Sequence, residues 1–139
     1  MSILSTIEIG QYVFNKVAPV LRYRLSGDVY PEDCRPFDST EEDATIVVTS
    51  ATAGQIQSGR VRINIYTNDI NNGSGRYVPN IARLSEIAKW GEEMVDILSF
   101  DISDYTFDIA QAPQMVADEE IQQHFVSIVL DFRRITFNK

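Results

Sequence analysis

The chain has 139 residues, 44% hydrophobic and 23% charged, which is typical of one globular domain and excludes a disordered chain. Its formal net charge is -8, so we expect no nucleic-acid partner, because phosphate backbones repel an acidic surface. No apolar run approaches the roughly 20 residues that span a bilayer, so we expect no membrane partner. The single cysteine, Cys34, cannot form an internal disulfide, which favours folding in a reducing compartment.

The first predicted element is a helix over residues 5–21. Ser5 and Glu8 have the spacing of a capping box, in which the side chain of each residue accepts a hydrogen bond from the backbone N–H of the other. Apolar residues then recur at helical spacing. Pro19 lacks a backbone N–H and is expected to end or kink the helix near Val17. The apolar stripe is assigned to Ile7, Phe14, Val17 and Leu21, widened by Val13 and Val20.

The middle of the chain predicts strands separated by polar segments. A short extended segment at 28–30 leads into residues 32–43, whose prolines and acidic run predict a solvated loop. Residues 44–52 are rich in Ile, Val and Thr, a composition typical of a strand. Residues 53–59 are small and polar and are expected to form a loop or the tip of a long hairpin. Residues 60–67 alternate apolar and polar side chains, which predicts a half-buried strand.

The second half of the chain predicts a further helix and two strands. Residues 68–77 contain turn residues throughout and predict a long flexible loop. A helix is expected over 79–98, followed by a strand at 104–110. Residues 113–122 are expected to connect this strand to the last one, at 123–137. This last strand alternates cleanly and is predicted to be the longest.

The order of these elements predicts an α+β fold. Consecutive strands joined by short loops favour antiparallel hairpins. We therefore expect one domain over residues 1–139, with a mainly antiparallel four- to five-stranded sheet and two helices packed on one of its faces.

No residue pattern is typical of catalysis. His124 is the only histidine, and Ser127, three residues further along a strand, is placed on the opposite face. Cys34 has no neighbouring signal for thiol activation. The acids lack the spacing of a calcium loop, and the segment NNGSGR at 71–76 lacks the lysine of a phosphate-binding loop. We therefore predict no catalytic, cofactor-binding or metal-binding residue and no enzymatic activity.

Arginine and tyrosine residues suggest surfaces for protein contacts instead, because both types are enriched in interfaces. Three of them share the polar face of the strand at 60–67, three form a basic cluster after the first helix, and two candidates lie in the 68–77 loop. Opposite charges on one subunit favour head-to-tail packing into rings. The candidate contact residues are Arg22, Tyr23, Arg24, Arg60, Arg62, Tyr66, Asn72 and Arg76.

The pattern of segments resembles the tail-terminator and tail-completion proteins of tailed phages, including prophage-encoded members. The resemblance rests on V-Y-P at 29–31, the strand at 45–50, the run QSGRVRINIYT at 57–67, the helix from Pro79 and the strand HFVSIVLDFR at 124–133. The segments 32–43 and 68–78 are longer than the family pattern.

This resemblance implies a mixed α+β sheet with helices on one side. It implies a homo-oligomeric ring, often a hexamer, that caps the tail tube and joins it to the neck. The implied partners are other copies of the chain, the tail-tube protein and neck or connector proteins. The implied location is the host cytoplasm during assembly and then the virion. Segments 32–43 and 68–77 are the expected contact elements, and the family supplies no catalytic or cofactor residue.

Two alternatives remain open from the sequence. One is an interaction adaptor unrelated to phages. The other is a small enzyme that uses the acidic loops, which would require a pocket gathering several potential catalytic side chains. Those side chains are Asp28, Asp33, Cys34, His124 and Asp131.

Overall fold

The computed structural model describes residues 3–31, 33–99 and 105–135. The predicted strand ends at 104 and at 136–137 lie outside these residues, as does Glu32. The elements are α1 (Thr6–Arg24), β1 (Val29–Pro31), β2 (Ala44–Ala51), β3 (Ile56–Asn68), β4 (Ile70–Asn71), β5 (Tyr77–Val78), α2 (Ile81–Ala88), α3 (Trp90–Ser99), β6 (Tyr105–Ile109), β7 (Gln114–Asp118) and β8 (Gln123–Ile135).

Helix α1 begins with the predicted capping box. The Glu8 N–H donates to Ser5 Oγ at 3.2 Å, and the Ser5 N–H donates to Glu8 Oε1 at 3.0 Å. The helix continues through Pro19 to Arg24, so the predicted end near Val17 is wrong. Pro19 and Asn15 are both exposed, and the carbonyl that loses its partner at Pro19 therefore faces solvent instead of the core.

The buried stripe of α1 also differs from the prediction. Ile7 was assigned to the core, but 72% of it is exposed, and Ile9 takes the buried position. Ile7 and Ile9 lie on either side of Glu8, only two residues apart, so apolar spacing alone did not decide which of them faces the core. The fully buried residues of the stripe are Ile9, Val13, Val17 and Leu21.

The main sheet has six strands, in the order β1-β2-β3-β8-β6, with β7 also paired to β8. Strand β1 is parallel to β2, and the remaining pairs are antiparallel. The α+β class is therefore confirmed, while the expected four to five strands are too few. A second, two-stranded sheet consists of β4 and β5.

Strands β6 and β7 lie one after the other along the same side of β8. Ile109 pairs with Leu130 and Gln114 pairs with Ser127, so residues 110–113 interrupt one long antiparallel edge. Residues 114–118 were predicted to lie in a connection, which is wrong. Four of them are exposed, and an exposed edge strand carries no alternation of apolar and polar residues from which it could be recognised.

Strand β3 begins earlier than the sequence predicted, at Ile56 instead of Arg60. It pairs with β8 over its entire length, from Ile56↔Ile135 to Asn68↔Gln123. Gln57 is buried, and its side-chain amide bonds both the N–H and the carbonyl of Leu4, each at 3.0 Å. These bonds satisfy a buried polar side chain, so a segment that looks like a loop is held as a strand.

The region between β3 and β6 differs from the prediction in two respects. Part of the predicted loop at 68–77 forms the β4–β5 hairpin. The predicted helix at 79–98 is divided into α2 and α3 at Lys89, whose N–H donates to the Glu86 carbonyl at 3.2 Å. This bond spans three residues, a tighter turn than the α-helical one.

The three helical segments cover one face of the main sheet, which we call the helix side. Their buried residues form a single cluster with the inward residues of β2, β3, β6 and β8, among them Val61, Ile63 and Ile65. The opposite face, which we call the outer side, carries Arg62 and Tyr66. In the described parts of the chain, no helix combines the length and apolar character needed to cross a bilayer.

Candidate functional site: interaction surfaces

The predicted contact residues of β3 lie on the outer side of the sheet and are half-buried. Arg60 Nε contacts Asp131 Oδ1 at 2.9 Å, in an ion pair that is exposed to solvent. Arg62 Nη1 donates to Ser127 Oγ at 3.3 Å and has no carboxylate partner among the described residues. Arg62 is therefore a cation that remains available to a partner on this face.

Tyr66 is committed to contacts within the chain. The Arg35 guanidinium lies 3.9 Å from the centre of its ring, and Phe125 packs beside it at 4.8 Å between ring centres. Burial raises the pKa of the Tyr66 hydroxyl, although the nearby Arg35 charge opposes this. Tyr66 is therefore less available to a partner than Arg62.

The segment 33–43, which was expected to be a solvated loop, is pinned to the outer side. Arg35 Nε donates to Asp43 Oδ2 at 2.9 Å, and its Nη2 donates to Gln123 Oε1 at 2.7 Å. Asp43 is only 1% exposed and accepts further bonds from the Asp28 N–H and from Ser39 Oγ. The prediction is therefore wrong for the ends of this segment, since a buried, fully bonded carboxylate fixes them.

Next to the Arg35–Asp43 pair, Glu42 connects segment 33–43 to helix α2. Arg83 contacts Glu42 with two parallel bonds of 2.9 Å, and Thr67 Oγ1 donates to Glu42 at 2.6 Å. Burial alone would raise the pKa of Glu42, but the bonds from Arg83 and Thr67 outweigh it and lower the pKa below its usual value. The same bonds act in the opposite direction on Arg83, because the hydrogen bond to Glu42 raises the pKa of the Arg83 guanidinium.

The predicted basic cluster at the end of α1 is divided among three environments. Arg22 Nε contacts Asp28 Oδ1 at 2.6 Å, and this bond is the main reason that the pKa of Asp28 is lowered. Arg24 pairs with Glu93 and lies over the Trp90 ring. Tyr23 is 93% exposed and is the member of the cluster that projects furthest into solvent.

Asn72 and Arg76 lie at the exposed tip of the β4–β5 hairpin. The Asn72 N–H donates to the Arg76 carbonyl at 3.0 Å, and the Asn72 side chain accepts from Ser74. At the base of this hairpin, Asp69 Oδ1 contacts His124 Nδ1 at 2.6 Å. His124 is thereby engaged in holding the hairpin to the start of β8.

An apolar groove, which no sequence pattern predicted, lies between α1 and the open edge of β2. It encloses about 720 Å³. Strand β1 pairs with β2 only as far as Ile46, so no described strand covers the edge of β2 from Val47 onward. Its lining includes the apolar side chains of Ile7, Phe14, Pro31, Ile46 and Val48, the backbone at Gly10, and the polar residues Thr6, Gln11 and Asn15 of α1.

The opposite edge of the sheet, at β7, exposes apolar side chains and has acidic residues close by in the sequence. Met115 and Val116 of β7 are exposed by 49% and 38%. Residues 105–123 contain the acids Asp108, Asp118, Glu119 and Glu120 and no lysine or arginine. By contrast β2 carries no charged residue, and its neighbour β3 carries Arg60 and Arg62. The two free edges of one sheet thus differ in the sign of the charge beside them.

The five side chains that a small enzyme would gather in one pocket lie in different surroundings. Asp28 pairs with Arg22, Asp131 with Arg60 and His124 with Asp69, while Cys34 is an exposed thiol. Asp33 borders a shallow hollow on the outer side, beside Arg35. In residues 3–31, 33–99 and 105–135, no three His, Cys, Asp or Glu residues are grouped in a way that would hold a metal ion.

The comparisons with known proteins bear on the fold alone. No protein-family model matches the chain, and no curated protein matches it. Solved structures do match. One has a TM-score of 0.52 at 12% sequence identity, and the match covers 99% of this chain and 100% of that chain. Its name describes no activity, so the similarity shows a shared fold and nothing about function.

Proposed function

We propose that this chain is a structural assembly protein of a tailed phage, which forms a ring at the head-proximal end of the tail tube and joins the tube to the neck. The resemblance of its strand pattern to tail-terminator and tail-completion proteins suggests this role. The proposal includes a non-enzymatic mechanism, in which geometry and contacts do the work.

The observation that carries the proposal is the difference between the two free edges of the sheet. One edge borders an apolar groove with arginines nearby, and the other carries exposed Met115 and Val116 beside acids. Two different surfaces on one subunit suit head-to-tail contacts, which close into a ring when the rotation between subunits divides a full turn. The net charge of -8 opposes any contact between copies in which like charges face each other.

Two projecting segments supply candidate contacts with the tube and the neck. Phe37, on the pinned 33–43 segment, is 89% exposed, and Tyr77 and Ile70 of the hairpin are about half exposed. Exposed aromatic side chains on a fixed backbone bind with less loss of entropy than side chains on a disordered loop. In this proposal the pinned 33–43 segment binds as a preformed element.

Deleting the gene from the phage or prophage that carries it tests the proposed role. We expect electron microscopy of the induced particles to show heads and tails that are separate, because the joint between them is missing. Supplying the protein from a plasmid should restore complete particles. Complete, infectious particles without the gene would overturn the proposal and favour an interaction adaptor unrelated to virion assembly.

A further inference from the structure

We propose that the groove beside the open edge of β2 receives strand β7 of a second copy of this chain, with Met115 entering the groove. This inference rests on the proposed self-assembly and names the surfaces that would carry it. The groove and β7 lie on opposite edges of the same sheet, so each copy offers one surface and receives the other.

The edge of the sheet is protected along β1 but not along β2. Pro31, the last residue of β1, has no backbone N–H, and prolines at edges discourage pairing with another chain. From Val47 to Ala51, β2 has no proline and no charge, although a bulge between Val48 and Ser50 bends it. The Tyr66 N–H donates to the Asp43 carbonyl, so these two residues form a hydrogen-bonded pair of the β2–β3 ladder. Because hydrogen-bonded and non-hydrogen-bonded pairs alternate along an antiparallel ladder, the N–H and carbonyl of Val48 point away from β3.

The two faces of the sheet match when β7 of a second copy extends the sheet beside β2. Met115 pairs with Val126, which belongs to the core cluster, so Met115 lies on the helix side. Ile46 and Val48, which line the groove, lie on that same side. An incoming β7 that keeps the helices of both copies on one side therefore directs Met115 toward α1 and Val116 toward the outer side.

The shape of the groove suits a long, flexible, apolar side chain. Its floor includes Gly10, where an added Cβ would be 3.6 Å from Val48, so the helix and strand already approach closely without a side chain between them. The rim is formed by the exposed Ile7 and the half-buried Phe14. Methionine adapts to irregular apolar spaces and forms favourable contacts with aromatic rings.

The charges beside the two surfaces favour this pairing over a symmetric one. Glu119 and Glu120 follow β7 and are exposed, while Arg62 lies one strand in from the open edge of β2 without a carboxylate partner among the described residues. Two β7 edges facing each other would bring their acids together, which raises the free energy of the complex. A β7 edge that pairs with β2 avoids this contact between acids, because β2 carries no charged residue and Arg62 lies on the neighbouring strand.

Disulfide trapping between single-cysteine variants tests the contact. In a Cys34→Ser background, Ile7→Cys and Met115→Cys proteins are mixed under mild oxidation. We expect a disulfide-linked dimer to form at least about tenfold faster than with Tyr23→Cys replacing Ile7→Cys, because docking raises the local thiol concentration. Tyr23 lies on the same helix and is more exposed than Ile7, so it controls for random collision.

The outcomes of this test distinguish a failure of the proposed docking from a failure of the proposed function. Equal rates for the two mixtures would overturn the proposal, as would Ile7→Cys linking fastest to itself, which indicates a symmetric β2 contact. If rings form and particles depend on the gene but the cross-link is absent, the docking is wrong while the proposed function stands. If the cross-link forms but particles assemble without the gene, the proposed function is wrong while the docking stands.

A charge exchange provides a second measurement that does not depend on oxidation. Sedimentation velocity is expected to show self-association weakened by about tenfold for Arg62→Glu and for Glu119→Lys, because each places like charges across the contact. Mixing the two variants should restore association, since both contacts between the two variants pair opposite charges, one as in the parent protein and one with the charges exchanged. Failure of the mixture to associate more strongly than either variant alone would overturn the charge pairing.

Discussion

Two polar segments that look alike in the sequence behave differently in the fold. Segment 33–43 is held by the Arg35–Asp43 pair, whose side chains are both largely buried. The β4–β5 hairpin has two-residue strands and is exposed along residues 71–77. The difference shows that polarity does not decide whether a loop is fixed. The Arg35–Asp43 pair anchors segment 33–43 within its length, whereas the Asp69–His124 contact holds the hairpin only at its base and leaves its tip exposed.

Asp43→Asn is expected to have the largest effect, because it breaks the pin of segment 33–43. The variant leaves the Arg35 charge buried without a carboxylate, so we expect a loss of about 3 kcal/mol in the free energy of unfolding. Urea denaturation measures this loss. Glu41→Gln is the matched control, since Glu41 is exposed and only its backbone takes part in the network. Similar midpoints for the two variants would mean that the segment is not pinned.

Glu42→Gln is expected to have an intermediate effect that depends on pH. The folded pKa of Glu42 lies below its usual value of 4.5, so the carboxylate stabilises the protein above this pH and the contribution is lost as the pH falls through the folded pKa. Near pH 7 we expect a loss of roughly 2 kcal/mol, typical of charged hydrogen bonds. Unfolding curves collected across pH should show the variant and the parent converging in acid. A constant difference down to pH 3 would contradict this.

Arg76→Ala at the hairpin tip is expected to have the smallest effect. Among the described residues, Arg76 forms a hydrogen bond only through its carbonyl, which accepts from the Asn72 N–H, and alanine keeps that carbonyl. We expect the free energy of unfolding to change by less than about 0.5 kcal/mol. Hydrogen exchange should also find the amides of 72–76 exchanging faster than those of 39–43. A stability loss as large as that of Asp43→Asn would erase the contrast between the two segments.

The sequence predicted elements well where one side of a strand or helix is buried. The alternation placed Val61, Ile63 and Ile65 on one face of the strand and Arg62 on the other, because a half-buried strand repeats every two residues, and the structure shows that the first face is the helix side. The same rule could not find β7, whose residues 114–117 are all exposed. Helix length was misjudged at Pro19, since its effect depends on whether the freed carbonyl faces solvent.

The candidate contacts were predicted less completely. Arg62 and Tyr23 are available on the surface, but Tyr66 and Arg24 are occupied by Arg35 and Glu93, which lie far from them in the sequence. Such pairings depend on tertiary structure, so no local pattern reveals them. The groove beside β2 was missed for a related reason, since it arises from the shortness of β1 and from the orientation of Ile7.

The position of β8 has a consequence for how the chain folds as it is made. This strand comes after all the others along the chain, yet it lies between β3 and the β6–β7 edge and joins them. Ile56 and Ile135 pair across 79 residues, and such distant pairings slow folding because a long loop must close first. During synthesis on the ribosome, the β2–β3 hairpin therefore waits with the long edge of β3 uncovered. The cell must protect that edge from aggregation until β8 emerges.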